Sequence, residues 1–174
     1  MPASASDFAP ESYDHPKFGR ITIRPVRADD AARIAAGFAR QAAEDLRLRF
    51  FGAVDEVTAE MLVHMTRFVP GEEATFVAET ADGALLGGVR LVRGFAPDDA
   101  EFAITVASHV KRAGLGRRLL ARAIRYARDL GLKRLHGDIL RENAPMLGLA
   151  RALGFTLETV VEAPEVVRAT LALR

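Results

Sequence analysis

The alternating run EFAITVAS over residues 101–108 leads through His109 into the loop Lys111-Arg112-Ala113-Gly114-Leu115-Gly116, and that loop opens directly into a helix. Leu115, Leu119, Ala123, Ile124 and Ala127 recur on one side of the helix, and Gly131 closes it. A strand, a glycine loop and a helix in this order constrain the chain more than any other segment does. The first-turn amides of such a helix lack internal partners, and the helix dipole is positive there, so the loop forms an anion site suited to a pyrophosphate. Gly114 and Gly116 let a ligand approach the backbone closely. No Lys-Ser/Thr pair follows at the spacing of a nucleoside triphosphate loop. Leu119 stands where the third glycine of a dinucleotide fingerprint belongs, so both of those ligand classes are disfavoured.

The flanking sequence supplies the fold class. RITIRPV from Arg20 reads as a strand, with Asp29-Asp30 able to cap a helix starting at Ala31 and running with a break towards Arg49. VTAEMLVHMTRF keeps helical spacing at Met61, Leu62, Met65 and Phe68. ATFVAET and ALLGGVRLVR form a hairpin about Ala81-Asp82-Gly83. RLHGDIL is a strand, Asn143 to Leu153 a short helix ended by Gly154, and FTLETVVE and VVRATLAL a closing pair. The order β-α-α-β-β-β-α-β-α-β-β implies an α/β (α+β) domain over residues 20–174, preceded by a flexible arm over residues 1–19. Its sheet is mixed, mostly antiparallel and six to seven strands wide, with helices on both faces.

The net charge of +1 conceals a segregation. Lys111 to Arg134 holds nine Lys/Arg and one acid, Asp129, leaving 15 basic against 22 acidic residues elsewhere. Arg122, Arg125 and Arg128 read as a solvated helix face, whereas Arg117 and Arg118 in the first turn can add charge to the anion site. The absence of cysteine excludes disulfides, thiolate-ligated metals and any acyl-thioenzyme, and fits a cytoplasmic location. No His/Asp/Glu spacing suggests a metal. The first nineteen residues lack the layout of a secretory signal, and no apolar run approaches the roughly 18 residues of a membrane span. Aromatic interleaving of the basic run is confined to Tyr126, which argues against nucleic acid as a partner.

Residues 101–155 resemble the acyl-coenzyme A binding core of the GNAT N-acyltransferase superfamily. That family carries Gln/Arg-x-x-Gly-x-Gly/Ala after its fourth strand, an Asn opening the next helix and a Gly-Phe beyond it. Lys111, Gly114, Gly116, Asn143, Gly154 and Phe155 fill these positions, with Lys111 replacing Gln/Arg. ITIRPVRADDAARI extends the likeness upstream. Leu48-Arg49-Phe50-Phe51 and Thr58-Ala59-Glu60 resemble Pat-type protein lysine acetyltransferases in particular. The resemblance implies that the fourth and fifth strands splay apart. Acetyl-CoA then binds in the gap as cosubstrate, with its pantetheine on the backbone of Ile104, Thr105 and Val106. Its pyrophosphate would sit on the amides of Arg112, Ala113, Gly114, Leu115, Gly116 and Arg117, near Arg118.

The chemistry implied is N-acetylation of a primary amine by direct attack in a ternary complex. An alkyl ammonium with a pKa of about 10.4 must first lose a proton, and Glu101 resembles the catalytic Glu of the Pat type. Glu79, Asp98 and Asp99 are competing carboxylates. The Val106 N–H would stabilise the oxyanion. The family's acidic Tyr falls at Ala150, so that group is missing. The helices between Ala31 and Phe68 form the acceptor wall, where Glu44, Asp45, Asp55, Glu56 and Glu60 could attract a cationic amine. The expected acceptor is a protein lysine; a small amine and a catalytically silent acyl-CoA-binding module are the alternatives. The apolar VVRATLAL is suited either to burial or to pairing with a second copy in a homodimer.

Overall fold

The computed structural model describes residues 8–52 and 56–174. Its strands are β1 (Glu11–His15), β2 (Gly19–Pro25), β3 (Glu73–Thr80), β4 (Leu85–Arg93), β5 (Asp99–Val106), β6 (Arg134–Leu140), β7 (Thr156–Val160) and β8 (Ala163–Ala172). They form one eight-stranded sheet in the order β1-β2-β3-β4-β5-β6-β8-β7. Every neighbouring pair is antiparallel except β5 with β6. Helices α1 (Ala31–Ala39), α2 (Ala43–Phe50) and α3 (Ala59–Met65) stand on one side of the chain's crossover, and α4 (Leu115–Asp129) and α5 (Ala144–Ala152) follow β5 and β6.

Alternation along the strands decides which residues each helix layer covers. Ile21, Ile23, Phe76, Val89, Leu91 and Phe102 are buried with Leu115, Leu119, Ala123, Ile124 and Ala127 of α4, as the helical spacing predicts. Phe76, Phe68 and Tyr126 close this core with edge-on contacts at 5.3–6.0 Å. On the opposite face, Arg24 and Asp30 are buried as a bidentate pair at 2.8 and 2.9 Å. Glu79 joins Arg24 at 2.8 Å, and Arg33 bridges Glu79 and Asp30. Asp30, expected as a helix cap, spends its carboxylate on this network and on the Arg27 amide instead.

The sheet has one strand more than the six to seven expected. Glu11–His15 fall within the expected arm but pair with β2 as an edge strand, while residues 1–7 lie outside the described residues. ESYDH carries no apolar alternation, because its attachment is polar. The Ser12 and Thr22 hydroxyls lie 2.8 Å apart, and Glu11 pairs with Arg122 and Arg125 of α4. Arg122 is therefore only 3% exposed, stacked 4.2 Å from the Phe76 ring, and is not part of a solvated face. VVRATLAL is flanked by β6 and β7, so it is buried within the sheet and has no open edge for a second copy.

The splay is built by one wedge. β5 and β6 pair only through Asp99↔Arg134, Ala100↔Leu135 and Glu101↔His136. At the next step the Phe102 ring occupies the space over Gly137, where an added Cβ would fall 2.6 Å from it. Phe155, from the Gly-Phe pair, packs edge-on against Phe102 at 5.4 Å. Beyond this point the two strands diverge.

The buried network makes a stability prediction. Burial raises the Asp30 carboxyl, but hydrogen bonds from Arg24 and the Arg27 amide more than offset it and hold the group at about 2, below its ordinary 3.8. The Arg24 hydrogen bond, against burial and with help from Arg33, holds Glu79 at about 2, below 4.5. Depressed folded values place this stabilisation above about pH 5, and it is lost as pH falls towards 2. Replacing Asp30 with Asn removes one of the two carboxylates on buried Arg24, Glu79 remaining at 2.8 Å, and should cost about 1.5–3 kcal/mol in urea unfolding at pH 7. The variant should also show a flatter acid-unfolding limb by circular dichroism.

Candidate active site

The free edge of β5 follows from its register with β4. Ala107 N donates to Leu86 O and Gly94 N to Asp99 O, so the odd-numbered residues of β5 exchange hydrogen bonds with β4. The peptide groups of Phe102, Ile104 and Val106 point the other way, and beyond Glu101 no β6 residue pairs with them. The Ile104 peptide groups and the Val106 N–H thus present open backbone to the splay, while the Val106 carbonyl accepts from Gln41. Thr105 does not, since its peptide groups belong to the β4 ladder and it can serve only through its side chain.

The mouth of the splay is the start of α4. Gly114 is its N-cap at φ 80°, a left-handed conformation that L residues with a Cβ adopt at a cost, and no side chain caps the helix there. The first amide of this turn with an internal partner is that of Arg118, donating to Gly114 O. Leu115, Gly116 and Arg117 therefore offer free N–H groups at the positive end of a 15-residue helix. Gly116 brings this turn against the splay, since a Cβ there would lie 3.4 Å from Leu149 of α5 and 3.7 Å from Val106. The space around Gly114 is open, so its requirement is conformational rather than steric.

Two braces hold the loop. Lys111 pairs with Asp45 of α2, which also accepts from the Ser108 hydroxyl. His15 Nε2 lies 3.1 Å from the Ala113 carbonyl, while its Nδ1 accepts from the Lys17 and Phe18 amides, so Nε2–H is the donor to Ala113. The sequence put His15 in an arm; its tie to the loop depends on β1 pairing. Arg118 turns away to stack 3.7 Å over Tyr13, and Arg112 and Arg117 remain exposed. Asn143 caps α5, its Oδ1 accepting from Met146 N at 3.3 Å.

On the α1–α3 side of the same strand lies an open cleft. Ala103 and Thr105 form part of its wall with Phe38, Met65, Val77 and Gly88. Glu101 shares their face of β5 and is exposed at the strand's near end, opposite His136. Gln41, between α1 and α2, bonds Val106 O at 3.1 Å and accepts from Ser108 N at 2.8 Å, tying the acceptor wall to the end of β5. Nothing in the sequence marks Gln41 except that it interrupts the helix. Three arginines also line the cleft: Arg33, Arg49 and Arg90. Arg49 Nε donates to the Thr105 hydroxyl at 3.1 Å.

The competing carboxylates are spoken for. Glu79 is held by two arginines, Asp98 by Lys133 at 2.6 Å and Asp99 by Arg134 at 2.7 Å. Of the acids expected to attract a cationic acceptor, Asp45 is bound to Lys111 and Glu44 to Arg47, and Asp55 lies outside the described residues. Ala150 is fully buried, and both tyrosines of the chain, Tyr13 and Tyr126, pack on the α4 side. No group of three or more potential metal ligands occurs among the described residues.

A family model described as an acetyltransferase (GNAT) domain matches residues 20–156. The chain belongs to the GNAT acetyltransferase family. It is an N-acetyltransferase that uses acetyl-CoA, and the geometry fits that cosubstrate: an open strand edge, a splay and a free helix N-terminus lie in one line. The GNAT domain of S. lividans PAT superposes with a TM-score of 0.87 at 22% identity, covering 98% of this chain and 99% of that one. A putative acetyltransferase from Salmonella typhimurium, solved with acetyl-CoA, matches at 0.71 and 23% identity, covering 88% and 94%. Spermidine N-acetyltransferase from Vibrio cholerae, solved with CoA and spermine, matches at 0.69 and 22% identity, covering 88% and 95%. These GNAT structures share the fold with this chain.

Two substitutions test the loop. Gly114→Val places a β-branched residue at positive φ, which re-aims the free amides; CoA affinity by calorimetry should fall about tenfold or more. His15→Ala should raise KM for acetyl-CoA several-fold with kcat little changed, and His15→Gln, which can still donate to Ala113 O, should recover most of the loss.

Proposed function

We propose that the protein acetylates the side-chain amine of lysine in proteins or peptides, with Glu101 as the general base. The observation that carries this reading is the division of labour across β5. Ile104 and Val106 open towards the splay and the α4 N-terminus, while Thr105 lines the acceptor cleft and Glu101 shares its face of β5, so donor and acceptor sites meet along one strand. Ile104, Val106, Leu115, Gly116 and Arg117 are the groups that would hold acetyl-CoA, with Lys111, Arg112, Ala113, Gly114, Arg118 and Asn143 shaping or flanking that site. The cosubstrate supplies the activated acetyl group.

Glu101 is exposed at the rim, where an incoming ammonium can reach it and give up its proton directly or through water. The Val106 N–H, outside both ladders, is the donor for charge developing on the acetyl oxygen, while Gln41 occupies the Val106 carbonyl in the next peptide group. No tyrosine is placed to protonate the departing thiolate. Thiolates leave readily, so solvent serves that step. Support for lysine over a polyamine comes from the cleft's charge. A molecule with several ammonium groups would meet the Arg49 guanidinium, whereas a lysine brings one ammonium to Glu101. The Pat-type run Leu48-Arg49-Phe50-Phe51 and the likeness to S. lividans PAT point the same way.

Glu101→Gln should lower kcat at neutral pH by about 100-fold or more while CoA affinity holds, measured by free-thiol release and calorimetry. Unchanged turnover on a good acceptor removes Glu101 from the mechanism.

A further inference from the structure

Among the described residues, one guanidinium of the acceptor cleft has no carboxylate partner. Of the cleft's three arginines, Arg90 is paired with Glu73 at 2.7 Å and Arg33 with Glu79 and Asp30. Arg49 has no carboxylate within ion-pairing distance among the described residues. Its Nε is spent on the Thr105 hydroxyl at 3.1 Å, and its plane lies over the Phe50 ring, 4.8 Å from the centroid. These two contacts fix the plane and leave the Nη1 and Nη2 fork to the cleft. Burial, and then repulsion from Arg90, push the group down to about 10, with Glu101 the carboxylate acting against them from beyond pairing distance. It stays charged at neutral pH in surroundings that disfavour the charge, and a bound anion relieves both causes.

We infer that Arg49 binds a carboxylate of the acceptor, so that the preferred substrate is an amine carrying a carboxylate within reach of Arg49 while its nitrogen is at Glu101. A planar, positioned guanidinium with a free fork matches a carboxylate in bidentate geometry. Glu101 and Arg49, close enough to feel one another, then receive the two ends of a zwitterion: ammonium at the base, carboxylate at the guanidinium. This rests on the acetyltransferase reading above and narrows its substrate. The carboxylate comes either from an acidic residue beside a target lysine or from the α-carboxylate of a free amino acid. The chemistry at Arg49 is the same for both.

The test is free-thiol release from acetyl-CoA with two matched acceptor pairs: a blocked lysine peptide with Glu or Gln beside the lysine, and a free amino acid or its amide. In wild-type protein, the carboxylate member of at least one pair should be favoured at least tenfold in kcat/KM, chiefly through the acceptor KM. Which pair shows the preference identifies the source. In Arg49→Gln the preference should fall to within about twofold of unity, and Arg49→Lys should retain part of it. Equal turnover of both members of both pairs in wild type overturns the inference without needing any variant to fold, as does a preference that survives in Arg49→Gln. Thiol release with none of the four acceptors overturns the proposed function, and this inference with it.

Discussion

Between β5 and β6 the parallel ladder ends at Glu101↔His136, and the Phe102 ring over Gly137 keeps it from resuming. A parallel pair that continued would have satisfied the peptide groups of Ile104 and Val106 internally and closed the sheet. The wedge leaves them open, and Gly116 at the head of α4 comes against the same gap. Unpaired backbone in a sheet interior is costly unless a partner arrives. Here the open groups face the gap between the strands, where the proposed donor site lies. The three pairs before the wedge matter equally, since they fix Glu101 at the point where splay and acceptor cleft meet.

The distribution of charge is a consequence of folding rather than of two opposed surfaces. The basic run from Lys111 to Arg134 is largely answered pair by pair: Lys111 by Asp45, Arg122 and Arg125 by Glu11, Lys133 by Asp98 and Arg134 by Asp99. Arg112, Arg117 and Arg128 remain exposed and outside these pairs. The acids that might have drawn a cation to the acceptor wall are partly consumed in the same way. Beside the charges left to solvent stand a helix N-terminus on one side of β5 and the Arg49 guanidinium with the Glu101 carboxylate on the other. Such residual charges, held in place after the rest have cancelled, are what a ligand meets.

Much of this was legible before folding. The strand, glycine loop and helix of residues 101–131, the buried stripe of α4, the hairpin at Gly83 and the Asn143 cap all depend on local backbone preference and periodicity, which neighbouring residues alone specify. β1 escaped because ESYDH has no apolar alternation; an edge strand held by its ladder and by polar contacts leaves no such pattern. Arg122 escaped for a related reason. An arginine on a helix reads as exposed unless its partner is known, and its partner, Glu11, is more than a hundred residues away. Thr105 was assigned to the wrong side of its strand, because which peptide groups face a neighbour is set by ladder register and not by position along the strand.

The amino-acid sequence by itself determined the family, the order of elements from β2 onward and the glycine loop that opens α4, since these reside in short-range spacing. The tertiary structure alone decided which charges survive. Glu79, Asp98 and Asp99 lost their candidacy as bases to arginine and lysine partners brought from elsewhere in the chain, His15 became a brace of the loop, and Arg49 was left in the cleft without an anion. Ion pairing acts over a few ångströms between residues of any separation in sequence, so only the folded chain can say which groups have found a partner and which remain for a substrate.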